Sequence, residues 1–197
     1  MRPPTSCVRI LLLCLALLLS ACSPPAQFNA TELRGIDWGK DFALTDHQGK
    51  PRRLGDFQGQ AVVLFFGYTQ CPDVCPTTMG NMRELMTALG PDAERVQVLF
   101  VTIDPERDTA QLLAQYVPAF HPSFLGLFGN AAATAAVAKE FKIFYHKQPG
   151  TTPSTYSMDH TAGSYVFDPR GRLRLYLRHG ETPQHMAQDL KRLLAGE

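Results

Sequence analysis

The sequence has few of the features that would assign it a class at once. No apolar run approaches the roughly 20 residues that a helix needs to cross a bilayer. The longest, Ile10–Leu19, has ten, with Cys14 inside it. There is no block of like charges, and 19 basic residues face 18 acidic ones for a net charge of +1. That balance excludes the basic face a nucleic-acid partner requires. No internal repeat and no low-complexity tract is present. Cysteine is scarce: five in 197 residues, three of them within the first 22. With 45% apolar and 19% charged residues, the composition is that of a globular chain, long enough for one domain with a proper core.

The short apolar run has its own reading. Arg2 and Arg9 give a positive start, Ile10–Leu19 an apolar middle, and Ser20-Ala21 a small-residue end before Cys22. This is the pattern of a secretory signal. Leu19-Ser20-Ala21-Cys22 resembles a bacterial lipobox, in which the cysteine thiol receives a lipid and the chain is cut just before it. Residues 1–21 are thus expected to be a lipoprotein signal peptide. Residues 22–35, with Pro24 and Pro25, read as lipidated cysteine and flexible tether. The folded domain is expected over 36–197. An ordinary secretion signal or an uncleaved anchor are the alternatives, and all three place the domain outside the cytoplasm. Cleavage would leave 17 basic against 18 acidic residues, and Cys71 and Cys75 as the only thiols. In an oxidising compartment such a pair is a disulfide, a redox couple or a metal site.

Within the domain, Phe42, Leu44 and the turn Asp46–Gly49 predict a β-hairpin. Ala61–Phe66 and Val96–Ile103 are continuous apolar runs of the kind found in strands buried on both faces. Between them a helix is predicted from about Cys75-Pro76, with Met79, Met82, Leu85, Met86 and Leu89 on one face and Gly90-Pro91 as its stop. Those methionines read as core packing rather than as metal ligands. Asp108 is expected to cap a helix reaching Tyr116, and Asn130 a helix reaching about Phe141. Phe124–Phe128 and Ile143–His146 read as short strands, followed by a polar loop with Pro149, Gly150 and Pro153. Ser164–Phe167 and Leu173–Arg178 form a terminal hairpin, and Thr182-Pro183 opens the last helix. Strands alternating with helices, closed by a hairpin, predict an α/β, thioredoxin-like fold: a mixed β-sheet flanked by helices, with an N-terminal β-hairpin.

The chemistry concentrates at Cys71-Pro72-Asp73-Val74-Cys75, between a buried strand and a helix. Free backbone N–H groups and the positive helix end favour a thiolate there, so at least one cysteine is expected to be more acidic than a free thiol. Four residues apart, the two sulfurs fall on one helical face. A structural disulfide would close too small a loop to stabilise much. A redox couple is more usual at Cys-x-x-Cys spacing. Two thiolates suit copper(I) or zinc. Of six histidines, His47, His121, His146, His179 and His185 read as ordinary surface or core residues. His160 lies before the strand Ser164–Phe167, where a thioredoxin-like sheet brings a loop against the active-site helix. It is the candidate third ligand. A closed zinc site would need a fourth, which the sequence does not offer. Asp159 is a candidate to orient a neighbouring histidine. Asp104-Pro105 to Asp108 reads as turn and cap chemistry.

Three segments together resemble the Sco/SenC family: Gly67–Pro76, Thr102–Thr109 and Asp159-His160-Thr161, with Leu54–Gly59 as a further likeness. The resemblance runs from about Ile36 to the last helix. It implies a thioredoxin-like copper-binding protein whose ligands map onto Cys71, Cys75 and His160, and whose cofactor is a copper ion, Cu(I) or Cu(II). It also implies a metallochaperone for the dinuclear copper centre of cytochrome c oxidase subunit II, receiving or passing copper through that subunit or a copper-relay protein. The alternative is a thiol-disulfide oxidoreductase that uses Cys71 and Cys75 to reduce the cysteines of that copper site. Many members carry a transmembrane anchor. Here lipidation at Cys22 would replace it, giving an extracytoplasmic, membrane-anchored lipoprotein on the periplasmic face of a Gram-negative bacterium. A peroxidase reading needs Thr-x-x-Cys, and Thr69 stands one residue too close to Cys71.

Overall fold

The computed structural model describes residues 27–151 and 155–197. The expected signal peptide, Cys22, Pro24-Pro25 and Pro153 lie outside the described residues. The elements run β1 (Thr31–Glu32), β2 (Leu44–Asp46), β3 (Pro51–Arg52), β4 (Ala61–Gly67), α1 (Val74–Leu89), β5 (Val96–Thr102), α2 (Ala110–Tyr116) and β6 (Leu125–Phe128). They continue with α3 (Ala131–Glu140), β7 (Tyr145–Gln148), β8 (Ser157–His160), β9 (Ser164–Phe167), β10 (Leu173–Leu177) and α4 (Pro183–Leu194). Eight strands form one sheet in the order β1-β10-β9-β4-β5-β6-β2-β3. β4, β5 and β6 are parallel, and the other pairings are antiparallel. β7 and β8 pair only with each other, as a separate antiparallel ribbon.

Strand β4 sits centrally because all of its residues are apolar or glycine, and all are buried. Successive side chains leave on opposite faces. Phe65 meets Phe100 on one face, at 6.0 Å between ring centroids, and Phe66 meets Phe141 on the other, at 5.6 Å. Helices α1 and α4 pack together over the first face, α1 through Cys75, Met79, Met82, Leu85, Met86 and Leu89. The second face is closed by Phe141, at the end of α3, against Phe66, Tyr165 and Phe167. This is the expected mixed sheet flanked by helices, and the methionines are core. The hairpin β2–β3 is also present, turned by the Asp46 carboxylate. It accepts from the Gln48 and Lys50 amides at 2.9 Å and from Arg52 Nε at 2.7 Å.

Two expectations about chain course are corrected. The tether placed over 22–35 is part of the fold from Phe28 onward. Phe28 and Ala30 are buried, and β1 pairs with β10. A buried carboxylate, Asp189 of α4, does the fastening. It accepts from Asn29 N at 3.0 Å, Asn29 Nδ2 at 3.0 Å and Ala30 N at 2.8 Å. The second correction is β8, which the sequence presented as a loop.

Replacing Asp189 by alanine leaves those amide donors without an acceptor, at a cost of roughly 1–3 kcal/mol. The Asp189→Ala protein should melt earlier, with faster amide exchange over residues 29–32. Unchanged exchange there would show that the segment does not depend on this carboxylate.

Candidate metal centre

The centre is built where β4 and β5 end side by side. β4 ends at Gly67, and the reason for glycine is steric. A Cβ at this position would lie 2.9 Å from Cys75 Sγ and 3.0 Å from the rings of Phe65 and Phe100. The missing side chain lets the first turn of α1 press its sulfur against the sheet. The chain then leaves β4 through Tyr68-Thr69-Gln70. A buried carboxylate, Asp108, holds this loop by accepting from Thr69 N at 3.0 Å and Thr69 Oγ1 at 2.6 Å. The same carboxylate accepts from Thr102 Oγ1, at the end of β5, at 2.6 Å. Burial pushes the Asp108 carboxyl above the usual range, against the pull of these donors. Asp108 is therefore not the helix cap that its position suggested. Thr109 caps α2, accepting from Leu112 N at 3.2 Å.

Cys71 lies in the loop, half-buried, and Cys75 on the first turn of α1, fully buried. Both are free thiols. The Cys75 amide donates to Cys71 Sγ at 3.3 Å, so that sulfur takes the place of a side-chain cap, which Asp73 does not supply. His160 ends β8 and reaches back over the helix start. Its Nδ1–H donates to the Thr161 carbonyl at 2.9 Å. That bond leaves the Nε2 lone pair facing Cys75 Sγ at 3.6 Å. The rings of Tyr68 and Phe65 stand edge-on to the imidazole, at 6.0 and 6.3 Å. The sulfurs and the imidazole nitrogen all lie within 4.8 Å of one another. Among the described residues, no other group of three or more Cys, His, Asp or Glu side chains is placed to hold a metal ion.

The electrostatics favour neutral groups at rest. Burial pushes the Cys75 thiol far up, with the hydrogen bond to Cys71 as the next contribution. Burial also lowers His160, which keeps its imidazole neutral and its Nε2 free to ligate. The expected acidification by the helix start therefore fails at Cys75, because desolvation there outweighs the helix dipole. A metal ion reverses this balance by taking the place of the proton on sulfur. Above the donors lies an open groove of about 440 Å³ lined by Tyr68, Cys71, Val74, Met158, His160 and Ala162, among others. A larger cleft of about 680 Å³, lined by Arg170, Arg172 and Arg174, lies at the opposite end of the sheet and contains no thiol or imidazole.

Cys71, Cys75 and His160 are thus brought together, as their sequence positions suggested. Asp159, which the sequence offered as a residue to orient a neighbouring histidine, makes no hydrogen bond to His160. Its carboxylate accepts from Gln148 Nε2 at 2.6 Å, and the Thr161 carbonyl orients His160 instead. Of the remaining five histidines, His146 lies on β7 opposite Asp159, and the other four are elsewhere. His47 Nδ1 accepts from the Gly126 amide at 3.0 Å, and His179 lies 3.3 Å from Thr78 Oγ1. His185 pairs with Glu181 at 2.9 Å, and His121 lies 2.8 Å from Ser123 Oγ. Sequence reasoning missed Asp108 as the clamp on the cysteine loop. The signal available was the Asp104…Asp108 pair following a buried strand.

Comparison with known proteins bears on this geometry. The SCO1/SenC family profile matches residues 30–195. The chain belongs to this family. The mouse protein SCO2 homolog, mitochondrial, is 35% identical over 157 residues, covering 79% of this chain and 62% of the mouse protein. The chain therefore matches about three-fifths of that relative's length. A SCO2-like protein of Rickettsia felis is 35% identical over 185 residues, covering 90% of this chain and 88% of its own. The structure of ScoI from Bradyrhizobium japonicum with copper bound has a TM-score of 0.73 at 39% identity, covering 79% of this chain and 99% of that one. The thioredoxin-like fold expected from the order of elements is the fold of these SCO1/SenC neighbours.

The two thiols should differ sharply in reactivity. Brief iodoacetamide treatment of the reduced, metal-free protein near neutral pH should label Cys71 well before Cys75, by peptide mass spectrometry. Because the Cys75 proton is held to higher pH, alkaline conditions should narrow the gap. Equal labelling at neutral pH would contradict the buried, protonated Cys75.

Proposed function

We propose that this SCO1/SenC member is a copper chaperone that holds one copper ion on Cys71, Cys75 and His160 and passes it on. The observation that carries the reading is the convergence of two thiols and one neutral imidazole beneath an open groove. Two soft sulfurs and one imidazole suit copper(I) in a three-coordinate arrangement, and copper(II) accepts the same donors with an added oxygen ligand. The set is open on one side, as a site for cargo must be. Cys71, the half-buried sulfur, faces that side, so exchange with an incoming thiolate begins there and the Cys75 bond breaks later. The recipient is taken to be the dinuclear copper site of cytochrome c oxidase subunit II, or a relay protein that serves it.

The same reading places the domain outside the cytoplasm, on a lipid carried by Cys22. No helix among the described residues is long and apolar enough to cross a membrane. With Cys22 lipidated, residues 23–27 would be all that separates the lipid from Phe28, the first buried residue among those described.

Copper content and visible absorption of the purified, reduced protein test the proposal. About one copper per chain is expected, with a thiolate-to-copper(II) charge-transfer band after oxidation of the metal. Cys75→Ser should abolish stoichiometric binding. His160→Ala should lose the band and weaken retention by roughly 10- to 100-fold or more. If the reduced wild type fails to hold copper through gel filtration, the chaperone reading falls. The thiol-disulfide oxidoreductase would then be the function to pursue.

A further inference from the structure

His160 lies on the ribbon β7–β8, which has no strand pairing with the main sheet. Something other than a ladder must hold its imidazole over Cys75. Polar links from the ribbon converge on the turn after β5. Tyr156, just before β8, donates its hydroxyl to Asp104 Oδ1 at 2.7 Å. Lys147 of β7 pairs with Glu106 at 2.8 Å and stands 3.9 Å over the Tyr156 ring.

The centre of this cluster is Arg107, whose side chain is only 14% exposed. Its Nε donates to Asp104 Oδ2 at 2.5 Å. Its Nη1 donates in two directions. One bond runs to the Tyr156 carbonyl of the histidine ribbon at 2.8 Å, the other to Gln70 Oε1, beside Cys71, at 3.1 Å. The guanidinium lies 3.5 Å over the Tyr156 ring and 5.7 Å from the ring of Tyr68 on the cysteine loop. One planar cation thus touches both halves of the metal centre. Its Nη2, also buried, has no hydrogen-bond partner among the described residues.

We infer that Arg107, stacked on Tyr156, is a positioning residue that clasps the His160 ribbon to the cysteine loop and so sets how long copper is retained. It touches no metal. It fixes the distance between Cys75 Sγ and His160 Nε2 from behind. This inference rests on the copper reading of the site. A lysine would keep the charge but lose the planar fork and its stacking, so it should not substitute.

The test measures copper(I) loss to a colorimetric chelator from the purified protein, together with amide exchange of the metal-free form. Arg107→Ala and Arg107→Lys should both release copper faster by roughly 10- to 100-fold. Tyr156→Phe keeps the ring and loses only the bond to Asp104, so its effect should be smaller. In metal-free Arg107→Ala and Tyr156→Phe, amides of Ser157–His160 should exchange faster, while those of β4 and β5 remain as in the wild type. Copper loss and ribbon exchange both at wild-type rates in Arg107→Ala would overturn the inference. So would accelerated exchange spreading through β4 and β5 in both variants, which marks a general contribution to stability. If the wild type held no copper, the chaperone reading would fail by itself, and ribbon exchange would still decide whether the clasp exists.

Discussion

The buried Asp108 carboxylate is the contact on which the rest of the centre depends. Its donors come from two chain segments, Thr69 just after β4 and Thr102 at the end of β5. Parallel strands have no short turn to tie their ends together, so the loops above them need a tie of another kind. A carboxylate satisfied by hydroxyls and an amide supplies one, and buried polar groups with full sets of partners make rigid local frames. Cys71 follows Thr69 by two residues and takes its position from that frame. Three residues before Asp108, Pro105 still belongs to the turn, whose Asp104 and Arg107 reach the opposite way, to the ribbon bearing His160. One short turn thus organises both halves of the site: its carboxylate at Asp108 fixes the sulfurs, and its guanidinium at Arg107 meets the imidazole's ribbon.

The rest state of the centre follows from burial. Cys75 is fully buried against the space left by Gly67, in surroundings that disfavour a thiolate. His160 is kept neutral for the same reason. An empty site of two thiolates would place like charges within a few ångströms of each other in a poorly solvated pocket. Neutral groups avoid that cost. Binding a metal then requires loss of the proton from the Cys75 sulfur, so the affinity of such a site must rise with pH. The greater access to Cys71 gives the proposed exchange its direction: an outside donor would meet this sulfur first and the deeper one afterwards.

Much of this was legible in the sequence because it is written in strong local signals. Continuous apolar runs marked β4 and β5, and the Cys71…Cys75 spacing at a strand–helix junction marked the metal centre. Asn130 and Thr182 marked helix caps that the structure contains, with side-chain oxygens accepting from Ala133 N and His185 N. The misreadings share a cause. Ser157–His160 has one buried apolar residue, Met158, between polar neighbours, so a strand in a two-stranded ribbon leaves no usable alternation. Residues 28–32 looked like tether because β1 is only two residues long, and its fastening, Asp189, lies about 160 residues away. Asp108 precedes a helix and so looks like a cap, although the side chain turns inward and Thr109 does the capping. Long-range polar contacts of this kind have no periodicity to betray them.

Dividing the ligands between two kinds of scaffold has a consequence for release. The sulfurs are attached to the core: Cys75 packs under β4, and Cys71 follows a loop clamped to β5. A shift in either would disturb apolar packing that is worth roughly 1.5–3 kcal/mol per large side chain. The imidazole is attached to a ribbon held to the domain by side-chain contacts rather than by a backbone ladder with the sheet. Withdrawing His160 therefore breaks a few polar contacts, one cation–aromatic stack and the seat of one buried side chain, Met158, while the packing of β4, β5 and α1 stays in place. Losing one of three ligands lowers the barrier to exchange far more cheaply than distorting the sulfur pair. In the proposed function, a centre built this way would yield its metal without unfolding, and the contact inferred to set retention lies outside the ligand set.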